Sequence, residues 1–291
     1  MKLKGVMPAL VTPFNDQGKI DFNRFEKLLT KLRDDGVKGW VPCGSTGEYN
    51  ALTADERLSV LQFVAEFANK DELLIAGTNA GSTWEVIEHT KRARDAGYGT
   101  VLLSAPFYAT PAPDELIAHY RSVLDAVDVE IVLYNYPPKV GVEVGMAVLE
   151  AFADEPRVIG IKESSGNLLR AIDIRSRFGD RYQVTNGSDD QTLDFYLWGA
   201  TSWICGPANC MARACVDLVN TIEAGDWLAA RDKMQVIYGA MSSLESGKFA
   251  QKVKYGCELA GTPVGVGRQP LLPLTDEEKA AFKKAMEPVL G

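Results

Sequence analysis

Two kinds of apolar spacing alternate along this chain. Short, β-branched runs recur at Val6–Val11, Gly39–Cys43, Leu73–Gly77, Thr100–Ser104, Glu130–Asn135, Arg157–Lys162, Tyr182–Asn186 and Thr201–Cys205. They are nearly continuous in apolar character, as parallel strands buried on both faces must be. They return roughly every 20–35 residues, the period of a βα unit. The segments between them carry helical spacing and helix-start signals. Asp21 or Phe22 opens a stretch with Phe25, Leu28, Leu29 and Leu32 on one face. Thr53-Ala54-Asp55-Glu56 and Ser82-Thr83-Trp84-Glu85 both read as capping boxes. Gly36 and Gly97 stand where helices should stop.

Eight such units predict an α/β fold, a closed (β/α)8 TIM barrel, rather than an open doubly wound sheet. No GxGxxG or GxxxxGK[ST] loop follows any of the strands, so a nucleotide site is not expected. The barrel is expected to fill residues 1–224, followed by a C-terminal helical extension over residues 225–291. Its predicted helices are Asp226–Met241, Ser246–Ala260 and Thr275–Pro288, the last two separated by a Gly- and Pro-rich loop, Gly261–Pro273.

Composition narrows the class. With 291 residues, 46% of them hydrophobic, the chain can bury a substantial core. A formal net charge of -8 argues against a nucleic-acid partner. No secretory leader is read at the N-terminus, and no apolar run approaches the roughly 18 residues of a membrane span. Five cysteines form no CxxC pair and are odd in number. They are expected to be reduced, in a cytoplasmic protein. A reactive thiol at Cys43 or Cys205 is the sharper alternative to simple packing.

Barrel enzymes carry their chemistry at the C-terminal ends of the strands. Lys162 closes the apolar run Val158-Ile159-Gly160-Ile161. A lysine at the mouth of an apolar barrel is desolvated, and desolvation lowers its pKa. The free amine can then attack a ketone to form an imine, an electron sink for the adjacent carbon. From position alone the side chain could equally snorkel to water or pair with Glu163. Tyr134 ends the neighbouring strand and could shuttle protons, or simply cap the core. Gly44-Ser45-Thr46-Gly47-Glu48 is a tight turn whose amides and hydroxyls suit a carboxylate. It lacks a P-loop lysine, and an ordinary βα turn is the plainer reading.

His89 and His119 both fall inside predicted helices, so a His-based triad or metal site is not expected. Asp189 and Asp190 follow the seventh strand, where many barrels bind phosphate. They argue against a phosphorylated substrate, and a helix cap is the preferred reading of the pair.

GSTGE after the second strand, Tyr134-Asn135-Tyr136-Pro137 after the fifth and Gly160-Ile161-Lys162-Glu163-Ser164 after the sixth resemble the dihydrodipicolinate synthase / N-acetylneuraminate lyase family. The similarity runs nearly end to end, starting at Gly5-Val6-Met7-Pro8. The resemblance implies that Lys162 forms the imine and that Tyr134 moves protons. It implies that Ser45 and Thr46 bind the 2-oxo acid carboxylate, Thr46 also continuing the relay. Tyr108 matches a tyrosine that completes the relay across a subunit interface, and Gly187 and Ile204 match positions lining the pyruvyl site. It further implies a homotetramer built as a dimer of dimers, with no metal and no organic cofactor.

Departures from the family pattern bear on the substrate. Synthases of the family carry arginine where this chain has Lys139, and lysine loses the bidentate fork. Tyr49, Tyr136 and Val140 also differ from the usual residues. Together with Gln251–Cys257 and Arg268–Leu271, these departures predict a catabolic lyase. The expected substrate is a small unphosphorylated 2-oxo acid, for a 2-keto-3-deoxy sugar acid dehydratase or a pyrroline-4-hydroxy-2-carboxylate deaminase. The alternatives are a 4-hydroxy-tetrahydrodipicolinate synthase, with Lys139 binding a carboxylate of aspartate semialdehyde, and a non-catalytic 2-oxo acid binding barrel.

Overall fold

A computed structural model describes residues 1–290; Gly291, the last residue of the predicted extension, lies outside the described residues. Eight parallel strands run in the order β1-β8-β7-β6-β5-β4-β3-β2. They are β1 (Gly5–Pro8), β2 (Gly39–Trp40), β3 (Leu73–Gly77), β4 (Thr100–Ser104), β5 (Glu130–Asn135), β6 (Val158–Glu163), β7 (Gln183–Asn186) and β8 (Ser202–Cys205). The barrel closes between β1 and β2 through the Ala9–Val41 bridge. There Val41 N–H donates to the Pro8 carbonyl at 3.1 Å and Leu10 N–H to the Val41 carbonyl at 3.0 Å. The expected TIM barrel is thus the fold.

Two predicted strands are shorter than their apolar runs. β1 stops at Pro8, although Leu10 and Val11 stay buried. β2 stops at Trp40, and Cys43 takes a left-handed backbone with φ 57°. Apolar character reports burial, and both segments remain buried after they bend away from the ladder.

Inward positions build the barrel interior from Leu3, Met7, Val41, Ile75, Leu102, Val132 and Ile204, with Tyr134 among them. Outward positions such as Val101, Leu103, Leu133 and Ile161 join the larger core beneath the helices. This alternation is the reason the runs look continuously apolar.

The helix signals hold with one exception. Asp21 caps the Phe22–Asp34 helix, and Thr53 and Glu56 form the reciprocal box. Ser82 precedes its helix but caps no amide. Its hydroxyl instead donates to the Glu85 carboxylate at 2.7 Å, so the motif is present without the box. Beyond the Ala208–Glu223 helix lie Trp227–Glu245, Phe249–Leu259 and Asp276–Leu290. Among the described residues, no helix is long and apolar enough to cross a membrane.

Candidate active site

The register of the sheet assembles the site. Ser104, Tyr134, Lys162 and Thr185 are successive partners across β4, β5, β6 and β7. Tyr134 and Lys162 therefore stand side by side on neighbouring strand ends, both pointing inward. The Lys162 Nζ lies 4.5 Å from the centre of the Tyr134 ring.

Glu163, one residue on, faces the opposite way and is fully buried. Asn135 Nδ2 donates to both of its oxygens at 3.0 and 2.9 Å, and Arg170 Nε donates to Oε2 at 2.8 Å. Glu163 is therefore fully engaged on the outer side of the sheet. The pairing of Lys162 with Glu163 that sequence position left open does not occur.

Lys162 is 6% exposed and makes no ion pair among the described residues. Burial pushes its pKa down, against Asp189, Cys205 and Glu245, which favour the ammonium. Burial likewise pushes the Tyr134 phenol up, opposed in part by the Ser45 and Ser164 hydroxyls beside it.

Lys162 and Tyr134 line an inner cavity of ≈ 80 Å³ together with Ser45, Thr46, Gly187 and Ile204. With Lys139, seven sequence-predicted residues therefore converge on one small volume. Gly187 is required there for space: a Cβ would lie 1.9 Å from Ser164 Oγ and 2.6 Å from Lys162 Cε. Any larger residue would displace the lysine.

The inner cavity adjoins an outer cleft of ≈ 560 Å³. Lys139 and Tyr136 line both, while Tyr49 and Val140 line the cleft. All four residues that depart from the family pattern thus surround the distal half. Tyr136 stacks on Tyr134 with ring centres 5.7 Å apart.

Tyr108 does not join this group. Its side chain is 97% exposed on a left-handed backbone with φ 73°, while Phe107 beside it lines the cleft.

Two acidic residues of the site were not legible as such. The Asp189–Asp190 pair reads from sequence as a helix N-cap and first-turn acid; Ser188 holds the cap position, and both acids do stand in the first turn. Asp189 is 3% exposed and accepts from Trp203 Nε1 at 2.8 Å. Burial and then Glu245 push its pKa well above the ordinary carboxylate value, against Lys162. Glu245 comes from the last turn of the Trp227–Glu245 helix, which returns over the mouth and brings Phe249 and Ala250 with it. The one available signal was an acid at a helix C-terminus, where the dipole disfavours it.

The other candidate chemistries are remote or inert. Burial pushes His89 and His119 down to about 4, on the outer helices. All five cysteines are buried and unpaired, and burial pushes the Cys43 thiol up to about 12. A reactive thiol needs the opposite shift.

A sequence model of the dihydrodipicolinate synthetase family matches residues 2–288. A 4-hydroxy-tetrahydrodipicolinate synthase of Methanothrix thermoacetophila is 34% identical over 287 residues, covering 97% of this chain and 96% of that protein. One of Geobacter sulfurreducens is 35% identical, covering 98% of each. Among solved structures, the chloride-inhibited dihydrodipicolinate synthase of Acinetobacter baumannii, complexed with pyruvate, matches with a TM-score of 0.95. It is 29% identical and covered over 99% of both chains.

Proposed function

Because the chain belongs to the dihydrodipicolinate synthetase family, we propose that it condenses pyruvate, held as an imine on Lys162, with aspartate semialdehyde. The observation that carries this reading is the buried, unpaired Lys162 beside Tyr134, at the base of a cleft that also holds Lys139. The relatives' shared name favours the synthase over the catabolic lyase that the distal departures predict. Those departures alter the lining of the cleft and leave the pyruvyl half intact. A lysine at position 139 still offers a charge to a carboxylate, without the bidentate geometry of arginine.

In this reading Ser45 and Thr46 bind the pyruvate carboxylate. The Lys162 amine adds to the ketone, and the carbinolamine loses water as a proton reaches its hydroxyl. Tyr134 supplies and removes that proton, Thr46 extending the path. Loss of a methyl proton from the iminium then gives an enamine, whose carbon attacks the aldehyde of the second substrate; the imine so regenerated is cleaved by water or displaced by the substrate's own amine, which frees Lys162. Gly187 and Ile204 shape the pyruvyl half, and Lys139 meets the carboxylate of the aldehyde.

We assign Tyr108 to the relay of a second copy of the chain, within a homotetramer. A tyrosine that is almost wholly exposed on a left-handed backbone is better explained by an intersubunit contact than by its own protomer. Neither metal nor organic cofactor enters these steps. Five unpaired thiols suit a cytoplasmic location. We also read residues 1–224 as the barrel and the helices beyond as an extension that walls the distal half of its site.

Incubation with pyruvate followed by borohydride tests the imine. A reduced pyruvyl adduct on the Lys162 peptide is expected, and an unmodified Lys162 would remove the reading. Turnover assays then separate the branches. Aspartate semialdehyde should be consumed with pyruvate. An enzyme that forms the adduct but acts only on a 2-keto-3-deoxy sugar acid or a hydroxypyrroline carboxylate would restore the catabolic alternative. Tyr134→Phe should slow adduct formation about 10²- to 10⁴-fold, the usual range for a lost acid–base group. Trapping at the wild-type rate would reduce Tyr134 to a wall of the cavity.

A further inference from the structure

We propose that Glu245 is a specificity-determining residue that binds a cationic group, an ammonium, on the second substrate. The inference rests on the condensation reading and adds to it the second substrate's charge pattern: an anion toward Lys139 and a cation toward Glu245, on one aldehyde.

Four charged side chains line the inner cavity: Lys139, Lys162, Asp189 and Glu245. Two of them are already committed. Lys162 becomes the imine, and Asp189 is buried beneath it, accepting from Trp203 Nε1 at 2.8 Å. Lys139 and Glu245 remain to face an incoming molecule. They come from different walls, Lys139 from the single helical turn Pro137–Val140 after β5 and Glu245 from the Trp227–Glu245 helix. Neither makes an ion pair among the described residues, so they do not neutralise one another directly. A ligand spanning the cavity would meet one charge of each sign.

Folding gives the acid one partner, the Asp189 backbone N–H, and otherwise disfavours it. Glu245 ends its helix, where the macrodipole favours a cation and repels a carboxylate. Desolvation and the neighbouring Asp190 both push its pKa up, while Lys162, the Asp189 backbone N–H and Lys139 pull it down. Once Lys162 has passed to the neutral enamine, Lys139 is the cation left among the lining side chains, and it makes no ion pair with Glu245. An ammonium on the substrate would give Glu245 a partner of its own, through a charge-assisted hydrogen bond to the carboxylate. A neutral group or a second carboxylate there would be the poorer fit.

The test compares aspartate 4-semialdehyde with succinate semialdehyde, its des-amino counterpart, in the wild-type enzyme and in Glu245→Gln. Wild type should prefer the amino aldehyde. In Glu245→Gln, kcat/KM for the amino aldehyde should fall about tenfold to a hundredfold, mainly through KM. The value for the des-amino aldehyde should fall clearly less, so that the preference for the amino aldehyde narrows. An equal fall for both aldehydes would make Glu245 a structural residue, and no fall for either would leave it unused; each result overturns the assignment. Borohydride trapping of pyruvate on Lys162 runs in parallel to show that the imine still forms in the variant. If the wild type itself gives no adduct, the imine reading fails. If the adduct forms and the amino-group preference is unaffected, only the role of Glu245 fails.

Discussion

Lys162→Ala should lower turnover by about 10⁴-fold or more and abolish the pyruvyl adduct, leaving a folded protein. The size of the effect follows from the chemistry, because without the amine no covalent electron sink exists. Folding should survive for an equally specific reason. Lys162 makes no ion pair, while the adjacent outward network of Glu163, Asn135 and Arg170 remains whole in the variant. Circular dichroism and a melting curve would check the fold; single-turnover assays would check the chemistry. Residual turnover of more than a few per cent, in a protein with a native melting profile, would mean that the imine is not on the reaction path.

The pH dependence of trapping gives a second reading of the same residue. Burial holds the Lys162 pKa below its ordinary value of 10.5. The free amine, which is the attacking species, therefore becomes available at a lower pH than for an exposed lysine. Trapping should rise with pH through the folded value, at lower pH than an exposed lysine would show the same rise. That direction follows from desolvation disfavouring the ammonium.

The inner half of the site was legible in the sequence because strands fix direction. A residue that closes an apolar strand must project at the barrel mouth if its parity is right, and Tyr134 and Lys162 both have it. Ser45 and Thr46 stood out as the hydroxyls of the tight turn after the second strand, whereas Gly187 and Ile204 came only from the family resemblance. The distal wall was not legible, since it depends on where helices return. The position of Glu245 over the cavity is set by the packing of the Trp227–Glu245 helix on the turn that carries Asp189, a contact between residues far apart in the chain. Asp189 was read only in part, as a first-turn acid, for a related reason. An acid after a strand has the local signature of a cap, and only tertiary burial reveals that its partner is Trp203. The shortened β1 and β2 show a further limit of apolar spacing, which records burial equally in a strand and in the bend that leaves it.

The second large effect is expected at a distance from the reacting atoms, in Lys254→Met. Lys254 Nζ lies 2.6 Å from Glu48 Oε1, with side chains only 2% and 3% exposed. Glu48 closes the turn that carries Ser45 and Thr46, and its own backbone is left-handed with φ 56°. Its other oxygen accepts from the Arg268 N–H at 2.8 Å. Lys254 sits 4.2 Å, and the Arg268 guanidinium 4.5 Å, from the centre of the Phe14 ring. One buried carboxylate thus ties the Ser45–Thr46 turn to the Phe249–Leu259 helix and to the loop after it. Removing the lysine leaves that carboxylate buried beside a single amide donor. Breaking a buried pair in this way costs about 3–5 kcal/mol. For a chain of this size that corresponds to roughly 10 °C in melting temperature. The turn would lose its anchor as well, so the KM for pyruvate should rise in the fraction that stays folded. Lys254→Met combined with Glu48→Gln should recover part of the loss, because the stranded charge is then gone and the pair is coupled. A single variant that melts with the wild type would show that the pair contributes nothing to stability. A double variant no better than the sum of its parts would show that Glu48 and Lys254 act independently, and the turn would then owe its position to Arg268 alone.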